Sequence, residues 1–273
     1  MNVADALRAA TQRLSESSDT ARLDAELLMA HALGVPRSDM LLRHMADPVP
    51  ANFEQLVERR LMREPIAHIL GEAEFFGRSF LVTPDVLIPR GDSESVVAAA
   101  LEVVPEEGRL LDLGTGSGAL LLTLLAERPK LEGVGIDASL GALAGAAANA
   151  ARLGLSDRAH IVHADWREVG WVNGLGRFDL VIANPPYVET SAELDPDVRD
   201  FEPARALFAG EDGLDDYRII VPQLRQLLTE TGVAVLEIGA TQAVQVTQLA
   251  EKAGFSASVR QDLGGRDRAL ILR

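Results

Sequence analysis

The sequence predicts an α/β protein: a doubly wound, mostly parallel sheet of seven strands with its last strand antiparallel, preceded by a small helical bundle. Three observations lead there. From residue 92 onward short apolar strands alternate with helices, the pattern of crossover connections in a parallel sheet. The first of these strands runs into the glycine-rich loop Gly114-Thr115-Gly116-Ser117-Gly118, which opens a helix. Before residue 72 the apolar residues recur instead at helical spacing.

Taken in order, Val3, Ala6, Leu7, Ala10 and Leu14 form one apolar helical face. Leu23, Leu27, Leu28, Ala30 and Leu33 form a second, which Gly34 and Pro36 end. A third helix is expected from Asn52 to Met62, so residues 1–71 read as a helical domain. Phe75 to Val82 and Val86 to Ile88, broken by Thr83-Pro84-Asp85, predict a β-hairpin linker over 72–91. The domain 92–273 follows, with strands predicted at 109–113, 133–137, 160–164, 178–183, 232–238, 256–262 and 268–272. Its helices are predicted near 92–103, 117–127, 139–152, 217–229 and 241–253. Only Leu263 to Asp267 join the last two strands, too few for a crossover helix, which makes that pair antiparallel.

Composition excludes several kinds of chemistry. With 273 residues, 47% of them hydrophobic, there is material for more than one core. No apolar run is long enough for a membrane span, and Met1 to Asp5 lack the basic start of a signal peptide, so neither is expected. The absence of cysteine removes disulfides, thiolate nucleophiles, iron–sulfur clusters and cysteine zinc sites, and a cytoplasmic location is expected. The five histidines lack metal-ligand spacing, and no metal is expected. A net charge of −15 disfavours free duplex nucleic acid as the main partner, since phosphate contacts need a basic surface.

The glycine loop is the first candidate site. Glycines permit a tight turn and a close backbone approach to a ligand. Nineteen residues beyond Gly118, Asp137 ends the second strand, where an acid accepts hydrogen bonds from both hydroxyls of a ribose. A nicotinamide dinucleotide fits poorly: its fingerprint spaces the last two glycines by two residues, whereas one residue separates them here. Asp112, preceding the loop, would also repel a phosphate. S-adenosylmethionine has no phosphate and carries a cationic sulfonium and an ammonium. Asp165 and Trp166 end the third strand at the same edge, placed to accept from an adenine amino group and to pack on its ring.

The second candidate site is Ile182-Ala183-Asn184-Pro185-Pro186-Tyr187-Val188. Two successive prolines remove two N–H donors and stiffen the chain, leaving a row of carbonyl acceptors at the end of a buried strand. Transfer of a methyl group to a planar nitrogen needs such a row, because accepting from both N–H groups leaves electron density on the nitrogen. Asn184 Oδ1 and the Pro185 carbonyl would do this, with Tyr187 stacked on the planar group. Positioning then supplies much of the acceleration.

Asn-Pro-Pro-Tyr after such a loop resembles the signature of amino-methyltransferases acting on glutamine or adenine. "EPIAHILGEAEFFG", "LIPRGDSE", "DLGTGSGAL", "FDLVIANPPYV", "EPARALFAGEDGLDDYR" and "LEIG", in this order, resemble the peptide chain release factor glutamine methyltransferases, the PrmC or HemK family. The resemblance, from about residue 20 to the C-terminus, implies a Rossmann-like seven-stranded methyltransferase sheet. It implies methylation, by S-adenosylmethionine, of the side-chain amide nitrogen of the glutamine in the Gly-Gly-Gln loop of class 1 release factors, leaving S-adenosylhomocysteine. By motif, Gly114, Thr115, Gly116, Ser117 and Gly118 would contact the donor, Asp137 its ribose and Trp166 its adenine. Asn184, Pro185, Pro186 and Tyr187 would receive the glutamine, with Asn184 beside the donor too. The helical domain and hairpin would grip the release factor.

One departure stands out: the family's Pro-Arg-Pro-Glu-Thr-Glu is here Pro89-Arg90-Gly91-Asp92-Ser93-Glu94. Asp92 or Ser93 is expected to cap the next helix, while the lost proline weakens the assignment of Arg90 and Glu94 to the site. Glu202-Pro203 and Asp212-Gly213 are expected to shape the loop over the substrate. The alternative function is an adenine-N6 or other nucleic-acid amino-methyltransferase. Against it, Glu189, Glu193, Asp195 and Asp197 follow the motif, and no basic cluster flanks it.

Overall fold

The computed structural model describes residues 1–273. The chain divides into two compact units: Met1–Glu72 with Leu194–Phe201, and Ala73–Glu193 with Glu202–Arg273.

The first unit is helical: α1 (Val3–Leu14), α2 (Ala21–Leu33), α3 (Arg37–Arg43), α4 (Phe53–Leu61) and α5 (Ile66–Leu70). Helix α1 buries the five residues its spacing marks, and the Asn2 side chain caps it by accepting from the Asp5 amide at 2.9 Å. Helix α2 ends at Gly34 in the left-handed conformation, φ 68°. Its buried face keeps Leu28 and Ala30 of the expected one and otherwise differs from it. Ala21, Ala25, Leu28 and Met29 face inward together with Asp24 and Glu26, while Leu23 is exposed. Pairing with arginines holds the two buried acids there. Asp24 accepts from Arg60 Nε at 2.8 Å, and Glu26 from Arg22 and Arg37, each through Nε at 2.8 Å. Leu194–Phe201 adds a single turn, numbered α9 in chain order (Pro196–Arg199), whose Asp197 accepts from Arg60 Nη1 at 2.6 Å. Arg60 thus holds two carboxylates within this unit while nearly sealed from solvent.

The hairpin of β1 (Glu72–Phe75) and β2 (Arg78–Leu81), paired across Phe76-Gly77, belongs to the second unit but for its first residue, Glu72. Both turn residues have positive φ, 50° and 70°, the requirement of a two-residue hairpin turn that matches strand twist. The turn therefore precedes the expected Thr83-Pro84-Asp85, and Val86 to Ile88 form no strand. Phe75 and Phe80 are buried edge-to-face, with ring centroids 6.2 Å apart.

Next come α6 (Glu94–Val103), β3 (Glu107–Leu113), α7 (Ala119–Glu127), β4 (Lys130–Asp137), α8 (Leu140–Arg152), β5 (Ala159–His163) and β6 (Phe178–Ala183). After α9 the chain continues with α10 (Asp215–Ile220), α11 (Leu224–Leu227), β7 (Leu228–Glu237), α12 (Ala243–Lys252), β8 (Ala257–Gln261) and β9 (Asp267–Leu272). The helix expected over 217–229 is broken, because the 3-10 turn Val221–Gln223 contains Pro222, and the sheet resumes at Leu228.

The strand order is β5-β4-β3-β6-β7-β9-β8, and all neighbours are parallel except β9, antiparallel to both β7 and β8. Alternation along the strands fills a core on each face. Leu110, Leu180, Ile182, Val235 and Ile271 pack on one side; Leu111, Val181, Ala234, Leu236 and Leu270 on the other. The chain winds outward from β3 to β5 and returns to β6 on the far side of β3. The ends of β3 and β6 therefore flank the switch point where open α/β sheets bind ligands. No helix is long and apolar enough to cross a membrane.

Candidate active site

A cavity of about 210 Å³ opens at the carboxyl ends of β3, β4, β5 and β6, room for a small molecule rather than a single water. Gly114, Thr115, Gly116, Ser117, Asp137, Asp165, Trp166, Asn184 and Pro186 line it. Gly118, Pro185 and Tyr187 are not among its lining residues; Gly118 caps the start of α7.

The loop after β3 has its shape for local reasons. Gly114, Gly116 and Gly118 have φ of 74°, 55° and 83°, which a side chain would strain. At Gly114 space is short as well: a Cβ would stand 3.0 Å from the Trp166 ring. The Gly114 and Thr115 amides both donate to the Ile136 carbonyl, at 2.9 and 2.8 Å, tying the loop to β4. Asp137 tightens the tie, its Oδ2 accepting from the Gly116 amide at 3.0 Å and its Oδ1 from the Ser139 amide at 2.8 Å.

Asp112 lies under this loop rather than in the cavity. It is 1% exposed and accepts from Thr115 Oγ1 at 2.7 Å, while its other oxygen has no partner. Burial pushes this carboxyl up to about 7, against the opposing hydrogen bond from Thr115. The acids that line the cavity are Asp85, Asp137 and Asp165.

Trp166 is oriented by its polar end. Its Nε1 donates to Asp216 Oδ1 at 2.7 Å, and Arg167 donates to both oxygens of the same fully buried Asp216. Asp165 Oδ1 accepts from the Arg167 amide at 2.9 Å. Asn149, a lone amide in an alanine-rich helix, joins β2 to the loop: it exchanges hydrogen bonds with Leu81 and donates to the Ser117 carbonyl at 2.9 Å.

The Asn184–Tyr187 row is held from behind. Gln242, just before α12, donates to the Tyr187 carbonyl at 3.0 Å, and Gly213 approaches so closely that a Cβ would be 2.3 Å from that oxygen. Val188 bridges to Phe208. The Tyr187 hydroxyl donates to Glu237 Oε1 at 3.3 Å, and Tyr217 donates to the Glu237 carbonyl at 2.6 Å. Asn184 Nδ2 donates to Ser93 Oγ at 3.4 Å. No donor of the chain occupies Asn184 Oδ1 or the Pro185 carbonyl.

Residues around the divergent hexapeptide enter the site although their assignment was weak. Arg90 and Ser93 line the cavity. Arg90 pairs with buried Glu202, whose Oε2 accepts from the Ile88 amide at 3.1 Å. Glu94 instead accepts from the Phe76 amide at 2.8 Å, closing the hairpin turn. Neither Asp92 nor Ser93 caps α6: Asp92 is drawn to Arg266 and Arg268, at 3.1 and 2.9 Å. Arg205 also lines the cavity and stands 3.4 Å from Asp137. Glu237 lies in the Leu236-Glu237-Ile238-Gly239 stretch of the resemblance; its own signal is a carboxylate ending the apolar run from Val233.

Two family models match the chain. Residues 5–71 match the PrmC N-terminal domain, and residues 92–202 the methyltransferase small domain. A release factor glutamine methyltransferase of Cereibacter sphaeroides is 43% identical, covering 100% of this chain and 99% of its own. Another from Rhodospirillum rubrum is 42% identical over 92% of this chain and 78% of its own. A crystal structure of a methyltransferase from Pyrococcus furiosus superposes with a TM-score of 0.54 at 16% identity, covering 81% of this chain and 98% of that one, a likeness of fold. By identity over its full length, the chain belongs to the release factor glutamine methyltransferases.

Proposed function

We propose that the chain transfers a methyl group from S-adenosylmethionine to the side-chain amide nitrogen of the glutamine in the Gly-Gly-Gln motif of class 1 release factors. The observation that carries this reading is the pair of free acceptors, Asn184 Oδ1 and the Pro185 carbonyl, on a stiff segment whose Asn184 lines the cavity.

The cavity suits the donor. Asp137 is fixed by two backbone amides at its floor, Trp166 is held edgewise by Asp216, and the glycine turn brings bare backbone to the cavity wall. Bound there, the sulfonium supplies an electrophilic methyl carbon and leaves as a neutral thioether. The residues of the chain do the rest. Asn184 Oδ1 and the Pro185 carbonyl take the two N–H groups of the glutamine amide, so its nitrogen faces the donor side with its lone pair less committed to the carbonyl. With the donor bound, the nitrogen–carbon bond would form as the carbon–sulfur bond breaks, and one N–H proton would pass to water. No strong base is needed, because alignment alone supplies much of the rate.

The helical unit, Met1–Glu72 with Leu194–Phe201, serves in this reading as the docking element for the protein substrate. Free nucleic acid is not the substrate. Incubation with labelled donor, separately with release factor, DNA and RNA, tests this. One methyl on the loop glutamine is the expected product. Label in DNA or RNA at comparable efficiency would overturn it.

A further inference from the structure

We propose that Glu237, acting with Ser93, is a positioning residue that fixes which end of the Asn184 amide faces the substrate. The inference rests on the glutamine-transfer reading and adds residues outside the Asn184–Tyr187 row.

An asparagine amide has two ends of similar size and opposite hydrogen-bonding sense. Methyl transfer needs Oδ1 outward, since Nδ2–H₂ in its place would meet the N–H groups of the glutamine amide donor to donor. The chain must therefore bind Nδ2 behind. The atom placed there is Ser93 Oγ, 3.4 Å from Nδ2. A serine hydroxyl does not discriminate by itself: it has one proton and two lone pairs and would accept from Nδ2 or donate to Oδ1 equally well.

Glu237 removes that ambiguity. Its carboxylate ends β7 at 1% exposure, next to the Ser93 hydroxyl, whose hydrogen bonding favours the ionised form. An ionised carboxylate only accepts, so the Ser93 proton is committed toward Glu237 and its lone pairs toward Asn184. Nδ2 is then the only end of the amide that Ser93 can bind. The same carboxylate accepts from the Tyr187 hydroxyl at 3.3 Å, so one buried group restrains both ends of the row. The Asn184–Ser93 and Tyr187–Glu237 links are long, at 3.4 and 3.3 Å, and Glu237 Oε2 is buried without a hydrogen-bond partner. Catalytic hydrogen bonds of this kind shorten when substrate binds, and Oε2 leaves Ser93 an acceptor to close on.

The device works only with Glu237 ionised. Burial pushes its carboxyl up to about 7, opposed by Ser93, Arg268 and Tyr187 and reinforced by Asp92. Tyr217 also faces it, donating to its main-chain carbonyl, and Arg268 is itself paired with Asp92. Below that range a protonated Glu237 would donate, the Ser93 proton would turn to Asn184, and the amide would be free to flip.

Two measurements test this on the full chain. In the first, kcat for release factor methylation at saturating donor should rise with pH to a plateau above about 7. Glu237→Gln puts an N–H₂ beside Ser93 and should lower kcat by about 100-fold, abolish that rise, and leave donor affinity by calorimetry within twofold. Ser93→Ala should lower kcat as well, and Ser93→Thr, which keeps the hydroxyl, should restore it. In the second, the side-chain amide resonances of Asn184 should titrate near pH 7 in the wild type and not in Glu237→Gln. That readout needs no substrate, so it separates the two ideas: titration without methylation of glutamine refutes the substrate and keeps the positioning role. Wild-type kcat in Glu237→Gln, or wild-type kcat in Ser93→Ala, overturns the proposal.

Discussion

Arg205 reaches over to Asp137, Nη2 to Oδ1 at 3.4 Å, onto a carboxylate that already binds the Ser139 and Gly116 amides. The pair is half exposed on the arginine side and long, and such pairs contribute only about 0–1 kcal/mol. Arg205→Ala is therefore expected to change S-adenosylmethionine affinity by less than about tenfold. Asp137→Ala removes charge-assisted hydrogen bonds and should cost about 1.5–3 kcal/mol of donor binding. Calorimetry decides between them. Unchanged affinity in Asp137→Ala would leave Asp137 as a brace for the loop and no more.

Arg60 sets the second prediction. It is 8% exposed by side chain and bonds Asp24 at 2.8 Å and Asp197 at 2.6 Å. Asp24 also accepts from Ser18 and Thr20, so it keeps partners when Arg60 is gone. The charge it holds nevertheless loses its counterion. Arg60→Ala should cost about 3–5 kcal/mol, the usual penalty for stranding one side of a buried pair. Denaturant unfolding would read it, and a loss under about 1 kcal/mol would mean that water reaches the two carboxylates.

Stability should depend on pH through Asp112. Its carboxyl is raised from 3.8 to about 7 in the folded chain, so the folded state holds a proton that the unfolded state releases. The favourable contribution is complete below about pH 4 and lost as pH rises through about 7. Asp112→Asn cannot ionise, and its melting temperature should fall less than that of the wild type between pH 4 and 7. Glu237, raised from 4.5 to about 7, adds a slope of the same sign, so part of the effect survives in Asp112→Asn. Identical pH profiles for Asp112→Asn and the wild type would show that Asp112 is ionised in the fold.

What the sequence made legible is what the backbone alone dictates. Three positive φ angles at 114, 116 and 118 require glycine, and a two-proline row has no donors, so both sites can be read locally. The α/β order and the antiparallel β9 follow from element spacing in the same way. Pro222 breaks the expected 217–229 helix locally; most of the other misses come from side-chain partners that no local pattern shows. Asp24 and Glu26 look like an outer face until Arg60, Arg22 and Arg37 draw them in. Phe76 looks like a strand residue, yet it takes positive φ in a turn whose amide Glu94 accepts. Ser93 and Glu237 meet only because α6 and β7 lie together, which no local pattern reports. The divergent hexapeptide hides the point further: its hydroxyl at Ser93 matters to Asn184 rather than to the helix it precedes.

The hairpin also limits how the helical unit can be removed. Phe75 and Phe80 are buried in the same core as Val96, Leu110 and Leu121, so a fragment starting near residue 85 would open that core. A start at Ala73 keeps the hairpin with its own unit. Such a fragment should bind donor but methylate intact release factor with much lower kcat/KM. Equal kcat/KM would mean that the helices do not recognise the substrate.

Asn184 carries the last prediction. Its Oδ1 is free within the chain while Nδ2 is bound to Ser93, so the two halves of the side chain can be tested apart. Asn184→Ala removes the acceptor without burying anything new, and it should fold normally and nearly abolish transfer. Asn184→Asp keeps an acceptor at the Oδ1 position but replaces the donor to Ser93 by a second acceptor. It also places a negative charge beside the cationic donor. Donor affinity should therefore hold or improve while the rate falls about 100-fold through misplacement of the nucleophile. A variant release factor with glutamate in place of the loop glutamine lacks both N–H donors and the nitrogen itself, so it should take up no methyl. Mass spectrometry of the wild-type factor should show a single methyl on that glutamine. A methyl on another side chain, or full activity in Asn184→Asp, would show that this row of acceptors holds a different amine in a different way.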